Sequence, residues 1–411
     1  MVLHMLRNYV GDRAFFTALN HYLVYNEYGT VEIHDLRLAF EEVTGEDLNW
    51  FFNQWFLSSG HPELTIEQHL DDGVLTVEVT QTQVEPSPIF FLPVNIRCWT
   101  SEDDFWDLPV EISDSYQKFE FDIDEPVKLV LFDSEQQLLA KVNHQKSLEE
   151  WIFQYYYGEK LMARYGALEQ LGELALESPE QYDTVTTVYL NALVEDPFWG
   201  IRELAAEFFD EYTGPFIDEV NERLEKIALE DKKSQVRASA LTSLISENPD
   251  DHKPLILKCM EDSSYMVKGA AILAYSATND INKVKVLDQY KEDKNSHIVF
   301  ALAEFYSSEN QFDNSTWFLD RMKKATTEDL FYLLQYYGVF LSQAGIPQEK
   351  LDEGMEFLKQ KALAHPIVFI RLAAFQSLQI LPATETQKSI IEEIKRNETS
   401  EDLLKLYNGN N

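Results

Sequence analysis

The sequence is short of cysteine, of basic side chains and of long apolar runs, and each shortage closes off a class of protein. Two cysteines, Cys98 and Cys259, stand far apart in 411 residues. They are too few to make a zinc site by themselves and read as two unpaired buried thiols. No window approaches the roughly 20 uncharged apolar residues of a membrane-spanning helix. Lysine and arginine number 34 against 71 acidic residues, a formal net charge of −37. Binding to phosphate backbones or anionic lipid depends on cations replacing counterions, so neither nucleic acid nor a membrane surface is an expected partner. The acids are dispersed, without the alternating carboxylates of a calcium loop, and read as a solubilising surface on a globular chain.

Catalytic patterns are also missing. The nine histidines are His4, His21, His34, His61, His69, His144, His252, His297 and His365. No two are four apart, the spacing that places two imidazoles on one helix face for a shared ion. His61-Pro62 reads as an extended joint between domains rather than as a ligand. There is no glycine-rich phosphate loop and no Gly-x-Ser-x-Gly elbow. Adjacent acids such as Glu41-Glu42 and Asp103-Asp104 point to different sides of their elements and read as solvated. No catalytic, cofactor-binding or metal-ligating residue is assigned in this chain. Asn314-Ser315-Thr316 and Asn397-Glu398-Thr399 fit the N-glycosylation acceptor triplet, a pattern that also arises by chance.

What is present falls into three parts, predicted as 1–60, 61–143 and 146–411. The first begins "MVLHMLRNYVGDRAFF", apolar at five of its first six positions and with no capping residue ahead of it. That start reads as the interior of a buried structure, so Met1 is not expected to be a natural beginning. Gly11-Asp12 reads as a turn and cap, and Phe15, Phe16, Leu19, Tyr22 and Leu23 follow at helical spacing. A helix over about 34–43 stops at Gly45. Asp47 then caps "LNWFFNQWF", whose aromatic density marks a buried helix rather than a ligand site.

The second part shows period two in "LTVEVTQTQV", "FFLPVNIRCW", "FWDLPVEI", "YQKFEFDI" and "VKLVLFD", with Asp72-Gly73 as a hairpin turn. These runs predict a small antiparallel β-sandwich. The third part is helical and repeats a triplet: Asp196, Arg202, Ala205; Asp231, Arg237, Ala240; Asp262, Lys268, Ala271. Weaker copies are His365, Arg371, Ala374 and Asp293, Val299, Leu302, with Arg164 and Ala167 as a degenerate first unit. Each Asp is expected to accept from amides at the start of a helix, each basic residue to reach the neighbouring unit's acid, and each Ala to let helices approach closely. The triplets resemble the signature of HEAT-type helical arrays, so the fold class is multidomain α+β ending in an α-solenoid.

The order of parts carries a further resemblance. "MVLHMLRNYVGDRAFFTALNHYL", "DLRLAFEEVTGEDLNWFFNQWFLSSGHPEL" and "VKLVLFDSEQQLLAKV" are similar to the C-terminal portion of bacterial gluzincin zinc aminopeptidases, of the aminopeptidase N and leukotriene A4 hydrolase type. The resemblance covers about residues 1–143, with the helical array matching the family's C-terminal domain in kind. It implies removal of N-terminal residues from peptides by a zinc-bound water, with zinc held by a His-Glu-x-x-His helix and a further glutamate. It also implies a transition-state tyrosine and a Gly-x-Met-x-Asn-type strand whose glutamate holds the free amine. None of these motifs occurs here, and residues 1–60 are read as the closing helices of such a catalytic domain. The expectation is a partial metallopeptidase without its zinc site, inactive alone, contributing substrate access and prone to self-association through residues 1–60. The competing expectation is a non-catalytic acidic scaffold that holds a protein partner along its helical repeats.

Overall fold

A computed structural model describes residues 1–246, 248–309 and 311–409. The chain is mixed α+β with a helical majority, and forms two compact units, Met1–Tyr189 and Leu190–Asn411.

The first unit opens with α1 (Val2–Val10), α2 (Asp12–Tyr25), α3 (Ile33–Thr44) and α4 (Asn49–Phe56). Gly11, at φ +78°, separates α1 from α2 in a conformation that a side chain resists. Gly45, in the left-handed region, ends α3 and donates its N–H to Glu41 O at 2.8 Å. The Asp47 carboxylate accepts from Asn49 N at 2.8 Å and so starts α4. Met5, Leu6, Phe15, Ala18, Phe40, Leu48, Phe51 and Phe52 form the core of these helices, which accounts for the aromatic density of α4.

The strands β1 (Glu63–Asp71), β2 (Val74–Gln81), β3 (Leu92–Trp99), β4 (Phe105–Ile112), β5 (Tyr116–Asp122), β6 (Leu129–Phe132) and β7 (Lys141–His144) follow. They form two sheets, β5-β2-β1-β7 and β4-β3-β6, whose alternate residues meet in one shared core from Leu64 to Phe132. Asp72 and Gly73 both have positive φ, as a two-residue hairpin turn requires, and set the register Asp71↔Val74. The sandwich is not wholly antiparallel as predicted: β7 pairs with β1 in parallel, Glu63↔Lys141 through Ile66↔His144. After β6 the chain returns beside its own first strand in the same direction, through a strand too short and polar to show alternation. Next come α5 (Leu148–Tyr157), α6 (Leu161–Glu177) and α7 (Tyr182–Glu195), the unit boundary falling within α7. Buried Arg97 on β3 pairs with Asp107 at 2.6 Å and with Glu159, just before α6, at 2.7 Å, and stacks on Phe105.

The second unit contains α8 (Trp199–Phe208), α9 (Ile217–Glu230), α10 (Ser234–Ile245), α11 (Lys253–Cys259), α12 (Tyr265–Ser276), α13 (Lys283–Leu287), α14 (Ser296–Ser308), α15 (Ser315–Lys324), α16 (Thr327–Ser342), α17 (Gln348–Ala364), α18 (Val368–Gln379), α19 (Glu385–Asn397) and α20 (Glu401–Tyr407). The even helices α8 to α18 pack each against the next, and α10, α12, α16 and α18 also pack against the helix before them. The triplet residues explain the regularity. Asp231 accepts from Lys233 N at 2.8 Å, next to α10, and takes both arms of Arg202, at 2.7 and 3.0 Å. Arg202 also donates to Asp196 O, so one guanidinium ties two successive turns. Arg237 repeats this with Asp262 and Asp231 O, and Arg371 with Glu398 and His365 O. Ala205, Ala240, Ala271 and Ala374 are fully buried at the helix contacts. Between the weak copy at Val299 and the one at Arg371 lie α15, α16 and α17, with Arg371 itself on α18.

Both cysteines are free and buried, and burial pushes each thiol up to about 11. Asn314 is 3 % exposed with its Oδ1 on Lys291 Nζ, which closes that glycosylation triplet in the folded chain; Asn397 is exposed. Among the described residues no helix is long and apolar enough to cross a membrane.

Candidate functional site

The helices α1 to α4 bury a shared core and also carry many exposed apolar side chains. Their inner side is fastened to the sandwich. Gln54 on α4 exchanges two hydrogen bonds with the Phe91 backbone, at 2.9 and 3.0 Å, and Trp55 packs on Phe90. Asp133, at φ +51°, accepts from Gln137 N and Leu138 N, which folds the loop after β6 so that Leu138 reaches both cores and Leu139 N meets Met5 Sδ on α1. Burial pushes the Asp133 carboxyl up, against the lowering effect of those two amides. This is the physical content of "VKLVLFDSEQQLLAKV": a strand, then a capped loop that seats the first helix.

Met1, Leu3, Tyr9, Phe16, Leu23, Val24, Tyr25, Tyr28, Val31, Leu38 and Leu57 are exposed, 11 of the 33 exposed large apolar side chains among the described residues, within about a seventh of the length. Leu23 is 66 % exposed and Tyr28 is 99 % exposed at φ +60°, a strained backbone for a bulky residue. On α2 the Nδ1 of His21 is buried without a hydrogen-bond partner. A cleft of about 630 Å³ between α1, α4 and the sandwich is lined by Tyr9, Trp50, Trp55, Phe91 and Pro93. The aromatic run of α4 therefore serves two purposes: Phe51 and Phe52 are buried in the core, and Trp50, Phe51 and Trp55 also line the cleft.

Among the described residues the structure brings no zinc ligands together. Among the described residues no three His, Cys, Asp or Glu side chains could hold a metal ion. His61 lies 3.9 Å from Glu63, and His69 pairs across β1–β2 with Thr76. His144 is buried with its Nε2 3.0 Å from Gln68 Oε1, and burial holds it well below the usual imidazole range. His365 Nδ1 accepts from Ile367 N ahead of α18. The donors present do not fit the zinc that the resemblance implies.

Comparison with known proteins finds relatives. Residues 1–55 match the Peptidase family M1 domain. Aminopeptidase N of Lactococcus lactis subsp. lactis is 33% identical over 74 residues, and that of Streptomyces lividans 37% identical over 76 residues. Each match covers 18% of this chain and 9% of the relative. Among solved structures, the aminopeptidase A of Legionella pneumophila, crystallised with aspartic acid, shares the fold over 100% of this chain and 55% of its own, with a TM-score of 0.64 and 15% identity. Residues 1–55 are thus similar to the M1 domain, and the chain spans about half the length of the solved structure whose fold it shares.

Proposed function

We propose that this polypeptide is the non-zinc portion of an M1-type aminopeptidase, whose bare face on α1 to α4 seats a zinc-bearing lobe. The observation that supports this reading is the number of exposed apolar side chains from Leu3 to Leu38, within the segment that matches the M1 domain. Helices α8 to α18 form a HEAT-like solenoid in this reading, supported by the repeated guanidinium–carboxylate links, and their part is to restrict access to peptides with a free end. The zinc chemistry itself belongs to the partner lobe. The scaffold reading gains no observation of its own beyond the acidic charge.

The test is direct. The purified 411-residue chain is expected to hold no stoichiometric zinc and to show no hydrolysis of aminoacyl anilides, by elemental analysis and absorbance. Chelator-sensitive turnover by this chain alone would refute the reading. Leu23→Glu and Phe16→Glu are expected to weaken capture of a separately expressed M1 zinc lobe at least tenfold, whereas unchanged binding would move the interface elsewhere.

A further inference from the structure

The cleft of about 630 Å³ between α1, α4 and the sandwich has a wall built of aromatic rings. Trp50 stands edge-on to Tyr9, with ring centroids 5.3 Å apart, and to Phe91, at 4.8 Å and 90°. Trp55 packs with its ring centroid 5.0 Å from that of Phe90, and Gln54 beside it is tied to the Phe91 backbone by two hydrogen bonds. The wall is therefore preformed, so a ligand need not order it. Its size falls within the roughly 300–1,000 Å³ of ligand sites.

The hydrogen-bonding groups of this cleft are one-sided. Among the described residues Trp50 Nε1 and Trp55 Nε1 have no hydrogen-bond partner and are not sealed from solvent, whereas Trp317 Nε1 in the second unit donates to Lys291 O at 3.0 Å. The carbonyls of Phe91, Pro93 and Asn95 along the same cleft are already taken, by Gln54 Nε2, Gln137 Nε2 and Ser134 N. Charge is one-sided too. Among the described residues no lysine, arginine or histidine lines the cleft, Glu135 is paired with Lys160 at 2.6 Å, and Glu111 on β4 has no ion-pair partner. The cleft thus offers rings, open donors and one uncompensated carboxylate.

A peptide of ordinary residues brings one N–H with every carbonyl, and here those donors would meet rings and other donors. Proline brings a carbonyl and no N–H, an apolar ring for aromatic contact, and a backbone that is already extended before it binds. We propose that this cleft binds a proline-rich peptide segment in the polyproline II conformation, with a basic side chain of the segment at Glu111. The indole N–H groups of Trp50 and Trp55 donate to proline carbonyls, proline rings pack on Tyr9 and Phe91, and the Glu111 carboxylate pairs with an arginine or lysine. This inference is independent of the aminopeptidase reading, since no step of it involves zinc or peptide cleavage.

The experiment titrates the folded 411-residue chain into a fluorescein-labelled Pro-Pro-Pro-Pro-Pro-Arg amide and follows anisotropy. Saturable binding is expected, and a peptide with alanine for each proline is expected to bind at least about tenfold more weakly, because every alanine restores an N–H. Trp50→Phe and Trp55→Phe keep a ring and remove the donor, and each is expected to weaken binding about fivefold, the worth of one hydrogen bond. Glu111 is exposed, so Glu111→Gln leaves the fold intact; it is expected to weaken the arginine peptide and not an all-proline one. Circular dichroism checks that each variant is folded, and the peptide pair decides even where a tryptophan variant is not. No saturable binding up to about 1 mM, equal binding of the alanine peptide, or unchanged affinity in folded tryptophan variants would overturn the proposal. Complete displacement by millimolar tetramethylammonium would also overturn it, since the cleft would then read a small organic cation alone.

Discussion

Arg202 and Asp231 meet through two hydrogen bonds at a place where the Asp231 side chain is 5 % exposed. Burial pushes the Asp231 carboxyl up, but the Arg202 guanidinium and the Lys233 amide outweigh it and hold the group below its ordinary value. Asp262 and Glu398 are lowered in the same way by Arg237 and Arg371. A carboxylate depressed on folding contributes stability that is present above its unfolded pKa, near 4, and lost as pH falls through the folded value. Arg202→Ala strands a buried carboxylate and is expected to lower the opening free energy of α8–α10 by about 3 kcal/mol at pH 7. Hydrogen exchange on those helices checks it, and the difference from the parent chain is expected to shrink as pH drops from 6 to 3. These links were readable in the sequence because donor and acceptor recur at fixed spacing. The hydrogen bond from Gln68 to Glu150 was not, because its partners stand 82 positions apart with no repeat to announce them.

Elements in the second unit approach closely where small residues allow it. A β-carbon on Gly338 of α16 would come within 2.8 Å of Ser377 Cβ and 3.0 Å of its Cα on α18. Gly338→Ala is therefore expected to cost about 2 kcal/mol through forced separation of two helices. Gly166 on α6 has nothing within 4 Å of the same atom, and Gly166→Ala is expected to stabilise by about 0.5–1 kcal/mol through helix propensity alone. Thermal unfolding of the two variants, which shift in opposite directions, separates contact from propensity. The helices α1 to α4, five of the strands and the triplet-bearing helices announced themselves by periodicity and by Gly11, Gly45 and Asp47. The strand β7 did not, since Lys141-Val142-Asn143-His144 has no alternation and its pairing partner lies across the whole sandwich. The Trp50–Trp55 cleft was equally silent, because an aromatic helix looks the same in sequence whether its rings meet core or solvent.

For the whole molecule, a net charge of −37 and an apolar face act against each other. Like charges keep copies apart at low ionic strength, and salt screens that repulsion within about 10 Å at 0.1 M. Self-association through residues 1–60 is expected to strengthen as sodium chloride rises from 20 to about 500 mM, seen as a concentration-dependent sedimentation coefficient. Leu23→Glu is expected to abolish the dependence, and a monodisperse parent chain at all salt concentrations would show that the face stays open. The parallel seam between β1 and β7 bears on another property altogether. The chain enters the sandwich at one end of β1 and leaves it from the opposite end of β7, so tension along the polypeptide slides the two strands past each other. Their ladder from Glu63↔Lys141 to Ile66↔His144 is then loaded all at once in shear rather than unzipped bond by bond, making this short seam a mechanical clamp against stretching.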